Sequence, residues 1–219
     1  MNFNFSPLPL LFMIAGSAGS GKGRFLKSLI DLKAQVIDLE KLACHNGSAF
    51  GNLSNTKQPS RIEFHTELFK KWERMDPSRP VFLEMEGPFL GSVDIPDSLY
   101  QQMITSPVIY LKTDFNLRVS NIIEDYSNNP KQEIVDSLEK LKPRIGVKAF
   151  ATCLVLLDTG NLSELVKILL DYYDQTRTYQ VDRSKIILQL TIDKPEYPEK
   201  AKQVMKFCNN RNRISKISF

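Results

Sequence analysis

A glycine-rich segment directly after an apolar run carries the strongest chemical signal in this chain. It reads Gly16-Ser17-Ala18-Gly19-Ser20-Gly21-Lys22-Gly23, the spacing of a phosphate-binding loop. In such a loop the glycines let successive backbone N–H groups curl around a phosphate, and the lysine reaches its outer oxygens. We therefore predict that residues 16–23 bind the phosphate of a ligand and that Lys22 is catalytic, neutralising the ligand's charge.

The residue after the loop lysine departs from the usual pattern. Serine or threonine at this position supplies a hydroxyl that ligates Mg²⁺ in P-loop enzymes, whereas Gly23 supplies none. Mg²⁺ stays an open option as a cofactor, but the sequence predicts no set of residues that would form a metal site.

The elements around the loop are those that a phosphate loop needs. Residues 8–14 are long and apolar enough for a buried parallel strand, and residues 24–30 have helical spacing, with Phe25, Leu26, Leu29 and Ile30 on one face. Other apolar runs predict further strands over residues 34–39, 80–84, 108–111 and 186–192. The predicted fold class is α/β, a P-loop NTPase-like, mainly parallel sheet with flanking helices and a helical insertion.

Helix signals separate the predicted strands. Ser60 with Glu63 forms a capping box for a helix that reaches Met75 and carries Ile62, Leu68, Phe69 and Trp72 as apolar positions. Further helices are predicted to begin near Pro96, to follow Asp114 as a cap as far as Tyr126, and to close the sheet over residues 198–207. Residues 132–175 are helical, with breaks at Pro143, Gly146 and Gly160, and predict an insertion or lid within a single domain, 1–219.

Composition sets the outer limits of the interpretation. The chain has 219 residues, a net charge of +4 and 42% hydrophobic residues, values typical of a globular protein that permit but do not demand an RNA partner. A basic C-terminal tail, residues 202–219, lacks acidic residues and predicts either a phosphate contact or a solvated terminus. Three widely spaced cysteines favour a reducing cytoplasm, and we expect no membrane partner.

Several polar residues follow the predicted strands, where open α/β sheets place ligands. Asp38 and Glu40 stand at the carboxyl end of the second strand, and Glu84 closes the third as the candidate to organise Mg²⁺ or orient water. We interpret Glu84 and Glu86 as pointing to opposite faces, which argues against a carboxylate pair acting on one atom. His45 lies in a long loop, residues 42–55, and is a candidate to donate to phosphate or move a proton.

Taken together, short strings along the chain resemble the P-loop domain of the tRNA 2-selenouridine synthase family. The resemblance covers most of residues 10–180 and rests on Asp38-Leu39-Glu40, His45-Asn46-Gly47-Ser48-Ala49-Phe50-Gly51, Pro59-Ser60-Arg61 with Phe64, Glu84-Met85-Glu86, Gly91, Arg118, Asp125-Tyr126, Leu138, Leu141, Arg144-Ile145-Gly146 and Tyr172-Tyr173-Asp174. These strings are more specific than the phosphate loop, which many families share.

The resemblance implies replacement of sulfur by selenium in the wobble 2-thiouridine of tRNA, through an S-geranylated nucleoside. It implies geranyl diphosphate and selenophosphate as co-substrates, tRNA as partner, and a diphosphate at the loop rather than ATP hydrolysis. Catalytic roles are expected for Lys22, His45 and Glu84, and substrate or RNA contacts for Asp38, Ser48, Arg61, Glu86, Arg118 and Arg144. Typical bacterial members carry a rhodanese-like domain before the P-loop. The resemblance therefore implies either a separate rhodanese-like protein as partner or a relative that has dropped part of the chemistry.

Three positions depart from the family pattern, and each loses a polar group. Gly23 stands for threonine, Asn46 for arginine and Gly87 for serine. Two other functions therefore stay open: a small-molecule or nucleotide kinase that uses ATP, against which Gly23 counts, and a scaffold that binds a phosphorylated ligand without turnover. Tyr172, Tyr173 and Tyr179 are candidates to stack on bases or line a prenyl pocket, with core packing as the alternative.

Overall fold

Five parallel strands form the centre of the molecule. The computed structural model describes residues 5–8, 10–45, 57–127, 129–176 and 181–215, with side chains as far as Asn210. The strands are β1 (Leu11–Gly16), β2 (Gln35–Ile37), β3 (Val81–Glu84), β6 (Val108–Thr113) and β7 (Ile186–Ile192), in the sheet order β2-β3-β1-β6-β7. All neighbouring pairs run parallel, so every strand ends at the same edge of the sheet. The predicted α/β, P-loop NTPase-like fold is confirmed.

Helices connect the strands and cover both faces of the sheet. They are α1 (Lys22–Asp31), α2 (Leu39–Ala43), α3 (Arg61–Glu73), α4 (Asp97–Thr105), α5 (Phe115–Tyr126), α6 (Lys131–Ile145), α7 (Val147–Asp158), α8 (Leu162–Gln175) and α9 (Tyr197–Ser215). A two-stranded antiparallel hairpin, β4 (Phe89–Leu90) and β5 (Val93–Asp94), follows β3. The sequence predicted a loop over residues 42–55, but the start of that range belongs to α2, which ends at Ala43. Residues 46–56 lie outside the part of the chain that the structure describes.

Two apolar cores sandwich the sheet. Alternate residues of β1 divide between them, since Met13 packs on one face and Ile14 on the other. Phe25, Leu26 and Leu29 of α1 are fully buried, as predicted. The prediction that Ile30 lies on the same buried face is wrong, because 45% of this residue is exposed. On α3 the capping box of Ser60 and Glu63 is confirmed.

Two further residues depart from the sequence prediction. Ile62 is 69% exposed, because the buried face of α3 passes through Phe64, His65, Leu68 and Trp72. Pro143 does not break a helix, because α6 continues through it to Ile145 and ends at Gly146, whose φ of 85° turns the chain into α7.

Helices α6, α7 and α8 have an apolar core of their own beside α5. Its buried residues include Leu138, Cys153, Leu157 and Leu169. These helices occupy the region where the insertion was predicted, and Ala201 and Val204 of α9 pack on the sheet as predicted. The charged tail after Asn210 falls outside the described side chains.

Candidate phosphate-binding site

The predicted phosphate loop joins the central strand β1 to the start of α1. Gly19 and Gly21 have φ angles of 72° and 82°, a left-handed conformation that glycine adopts without strain. Gly21 caps α1, and the first N–H groups of a helix have no partner within the helix. Residues 16–23 therefore form an anion cradle at a helix N-terminus, where the helix dipole also favours negative charge.

Side chains behind the loop bind three successive carbonyl groups. Arg118 Nε donates to Ala18 O at 2.8 Å, Asn121 Nδ2 to Gly19 O at 2.8 Å, and Thr113 Oγ1 to Ser20 O at 2.9 Å. In a trans peptide the carbonyl and the following N–H point in opposite directions. These contacts therefore direct the N–H groups of Gly19 and Gly21 into the cradle, which is organised before any ligand arrives.

Arg118 is held in place by a second set of bonds. Its two terminal nitrogens donate to the carboxylate of Asp174, at 2.8 and 2.7 Å, and 6% of the residue is exposed. The sequence predicted a contact between Arg118 and RNA or substrate. In the structure the guanidinium is buried, and its hydrogen bonds go to Ala18 of the loop and to Asp174 of α8. We therefore assign Arg118 as a residue that positions the loop.

Sequence reasoning missed Asn121, Thr113 and Tyr197. Asn121 lies one helical turn after Arg118 and also donates to Tyr197 Oη at 2.8 Å, which stands behind Gly21. The helical spacing from Arg118 to Asn121 was the available signal for Asn121. No local pattern identifies Thr113 or Tyr197, since both approach the loop from other strands and helices.

Replacing Arg118 with lysine should damage the loop. Lysine keeps the charge but loses the planar fork that binds Ala18 and both oxygens of Asp174. We expect a loss of about 1.5–3 kcal/mol in the free energy of unfolding, measured by urea denaturation, because the buried guanidinium loses its hydrogen bonds to Ala18 and to the partly exposed carboxylate of Asp174. The control is Arg61→Lys, since Arg61 pairs with Asp94 on the surface and 69% of its side chain is exposed. Equal losses in both variants would contradict the assignment.

Three carboxylates meet in front of the loop lysine. Glu40, Glu84 and Glu86 each offer an oxygen, and these atoms all lie within 4.8 Å of one another. Lys22 Nζ lies 3.9 Å from Glu86 Oε1. The interpretation that Glu84 and Glu86 face opposite sides is wrong, because residues two apart along an extended segment point to the same side.

Burial and crowding change the protonation of this cluster. Desolvation and the neighbouring charge of Glu86 raise the pKa of Glu40 to about 7. Burial and Glu40 raise the pKa of Glu84 well above its ordinary value, and burial raises that of Glu86. Burial opposes the charge of Lys22, but attraction to the carboxylates exceeds this effect and raises its pKa. The Lys22 ammonium therefore keeps its positive charge, which favours binding of a negatively charged phosphate.

The raised pKa of Glu40 predicts a pH dependence of stability. Between pH 4.5 and about 7 the folded chain binds more protons than the unfolded chain, so the free energy of unfolding falls as pH rises through this window. Glu40→Gln should therefore stabilise the chain at pH 8 relative to wild type, by at most on the order of 3 kcal/mol, and the difference should disappear near pH 4.5. Urea denaturation in EDTA at each pH measures this difference.

An exposed carboxylate on α6 provides the control for this experiment. Glu139→Gln removes one negative charge without touching the cluster, and its stability should follow that of the wild type from pH 4.5 to pH 8. A Glu40→Gln variant that behaves like Glu139→Gln would contradict the raised pKa of Glu40.

The carboxylate cluster fits a hard divalent cation. Mg²⁺ is the metal that P-loop folds imply, and it binds carboxylate oxygens such as those that converge here. Glu40, Glu84 and Glu86 would hold it, although no hydroxyl is available at Gly23. When bound, such an ion would supply positive charge beside the loop and relieve the repulsion among the carboxylates.

The other predicted site residues have different surroundings. Asp38 caps α2 by accepting from Lys41 N at 2.8 Å. The His45 ring lies beside Gly91, and burial lowers its pKa. Arg61 bonds to Asp94, and Arg144 is exposed at the end of α6. Ser48 and Asn46 lie outside the described residues.

Ser17 and Ser20 complete the loop. Ser17 Oγ lies 3.4 Å from Tyr110 Oη, and Ser20 is buried against Gly16.

Within the described segments, no helix combines the length and apolarity needed to cross a membrane.

Comparison with known proteins identifies relatives along most of the chain. A tRNA 2-selenouridine synthase of Nitrosomonas europaea is 39% identical over 125 residues, covering 56% of this chain and 32% of the relative. Those of Cupriavidus pinatubonensis and Pseudomonas putida strain W619 are 29% and 28% identical, covering 78% and 92% of this chain and 54% and 60% of the relatives. The chain thus spans about a third to three fifths of the length of these relatives.

The match to a protein family is more direct. The family model described as the tRNA 2-selenouridine synthase AAA domain matches residues 10–156, which include the phosphate loop, the carboxylate cluster and Arg118. Because this match extends over more than half of the chain, the chain belongs to the tRNA 2-selenouridine synthase AAA domain family.

Proposed function

We propose that this chain is the P-loop part of an enzyme that modifies the wobble uridine of tRNA, and that its loop binds the diphosphate of an isoprenoid. Membership of the family supports tRNA modification as the process. The observation that carries the ligand proposal is the preorganised loop with Lys22 at its edge, 3.9 Å from Glu86. The co-substrates in this proposal are geranyl diphosphate and, for the selenation step, selenophosphate.

The geometry suits departure of a diphosphate. As the sulfur of 2-thiouridine bonds to the prenyl carbon, the bond from that carbon to the diphosphate oxygen breaks, and negative charge grows on the leaving group. Lys22 and the N–H groups of the loop stabilise this charge where it develops, which lowers the barrier. Arg118, Asn121 and Thr113 hold the loop in the required shape.

Gly23 lacks the hydroxyl that ligates Mg²⁺ in ATP-hydrolysing P-loop enzymes, which favours a diphosphate ligand over ATP. A Cβ added at Gly23 would meet nothing within 4 Å, so the first carbon of a side chain fits there without displacing a neighbour. We expect Gly23→Thr to raise the affinity for ATP in the presence of Mg²⁺ several-fold, because it adds a hydroxyl ligand for the ion. Calorimetric titration with and without EDTA measures the change, and Gly23→Val, which lacks the hydroxyl, is the control.

The proposed reaction is tested on the nucleoside itself. The chain is incubated with tRNA that contains 2-thiouridine and with geranyl diphosphate, and the digested nucleosides are analysed by mass spectrometry. Formation of S-geranyl-2-thiouridine that requires Lys22 is expected. Unchanged 2-thiouridine, with the chain folded and the diphosphate bound, would contradict the proposed reaction.

The selenation half of the process involves a further unit in this proposal. A rhodanese-like protein, which the family resemblance suggests, would act with this chain on tRNA and selenophosphate in the cytoplasm. Addition of such a protein together with selenophosphate to the geranylated tRNA tests this part. Formation of 2-selenouridine, with geranyl thiol displaced from C2 and phosphate released, is the expected result.

A further inference from the structure

Four cations crowd the turn between α6 and α7. Lys140, Lys142, Arg144 and Lys148, here named the α6–α7 corner, are all exposed, and residues 140–148 contain no acidic residue. Within the described residues, none of the four lies within 4 Å of a carboxylate oxygen, unlike Lys131 and Lys167, which are both paired. The positive charge of the corner is therefore not neutralised within this part of the chain.

The insertion places this corner at the same end as the phosphate loop. The start of α6 lies beside the end of α7, since Lys131 Nζ is 2.8 Å from Asp158 Oδ1. At the other end, Lys142 Nζ lies over the ring of Phe150, 5.0 Å from its centroid, which joins the last turn of α6 to the first turn of α7. These two helices are therefore antiparallel.

The third helix continues this arrangement back to the loop. A turn at Gly160 reverses the chain between α7 and α8, which pack against each other, so the start of α7 lies near the end of α8. That end carries Asp174, whose carboxylate holds Arg118 and through it Ala18 of the loop. The cationic corner and the phosphate loop thus share one end of the insertion.

We propose that the α6–α7 corner binds the phosphate backbone of the RNA substrate while the loop acts on the target nucleoside. This inference rests on the proposed function, because it takes RNA as the substrate. Exposed lysine and arginine side chains supply the sequence-independent part of nucleic-acid affinity through contacts with phosphate oxygens. A row of exposed cations without an interspersed acid matches a polyanion better than it matches a mixed protein surface.

A triple substitution tests the corner. Lys140→Gln, Arg144→Gln and Lys148→Gln together remove three positive charges and keep good helix formers. Affinity for bulk tRNA is measured by filter binding from 50 to 200 mM salt. We expect the triple variant to bind at least about tenfold more weakly at 50 mM, with the slope of log K against log salt smaller by about 1 for each lost phosphate contact.

A charge-matched control separates a local contact from net charge. Lys27→Gln, Lys33→Gln and Arg74→Gln remove three exposed cations from α1, the turn after it and the end of α3, away from the corner. Wild-type tRNA affinity in this control, with diphosphate binding intact in both triple variants, supports the proposal. Equal weakening in both variants would overturn it, as would an unchanged affinity and salt slope in the corner variant.

The experiment also distinguishes failure of the corner from failure of the proposed function. If wild type binds tRNA and the corner variant matches it, only the corner is wrong. If wild type binds the diphosphate but no tRNA, the RNA substrate itself is wrong and the proposal falls with it. Circular dichroism of each variant shows that the helices remain folded.

Discussion

Replacing Lys22 with alanine should remove most of the affinity of the loop for a diphosphate. Lys22 carries the charge that faces the cradle, and its pKa is raised because the attraction of three carboxylates exceeds the effect of burial. A hydrogen bond to a charged group contributes about 1.5–3 kcal/mol, so we expect binding of inorganic pyrophosphate to weaken about 10- to 150-fold. Isothermal titration calorimetry measures the change.

A lysine on the same helix is the matched control for this variant. Lys27 lies further along α1 and is exposed, so Lys27→Ala removes the same charge from a position outside the cradle. Pyrophosphate affinity should be close to wild type in Lys27→Ala. If both variants lose affinity equally, or if Lys22→Ala binds as well as wild type, the loop is not the anion site.

The second large effect is expected at Gly21. A Cβ at this position would lie 2.2 Å from Tyr197 Oη, and the φ of 82° is strained for any residue with a side chain. Tyr197 has no room to retreat, because it is buried and bonded to Asn121. Gly21→Ala should therefore cost about 2–5 kcal/mol in the free energy of unfolding and abolish pyrophosphate binding.

The neighbouring Gly23 has the opposite surroundings. A Cβ added at Gly23 would meet nothing within 4 Å, and Gly23 lies in the first turn of α1. Gly23→Ala should keep pyrophosphate binding and raise the free energy of unfolding by about 0.5–1 kcal/mol, as alanine favours a helix. Thermal denaturation compares the two variants, and similar behaviour would contradict the loop geometry described above.

Local patterns in the sequence predicted the fold well. The phosphate loop, the strand over residues 186–192 and the capping box at Ser60 each depend on residues close in sequence, and the structure contains all three. Amphipathic periodicity was less reliable at the edges of helices, where Ile30 and Ile62 have apolar side chains that face solvent. Spacing alone cannot show how wide the covered face of a helix is.

Contacts between distant elements decided the details of the site. Thr113, Asn121 and Tyr197 reach the loop from β6, α5 and α9. Asn121 had a local signal in its helical spacing from Arg118, but no nearby pattern marks Thr113 or Tyr197. The carboxylate cluster joins the start of α2 to the end of β3, which depends on the parallel pairing of β2 with β3. Glu84 was a candidate from its place at the end of a strand, but its closeness to Glu40 required the sheet order.

One titration distinguishes an isoprenoid diphosphate from ATP as the ligand of the loop. Geranyl diphosphate and ATP with Mg²⁺ are titrated separately into the wild-type chain by calorimetry. We expect binding of geranyl diphosphate, with a dissociation constant on the order of micromolar, and little heat from ATP because Gly23 offers no hydroxyl to the ion. Tight ATP binding without a signal from geranyl diphosphate would contradict this expectation and favour a kinase.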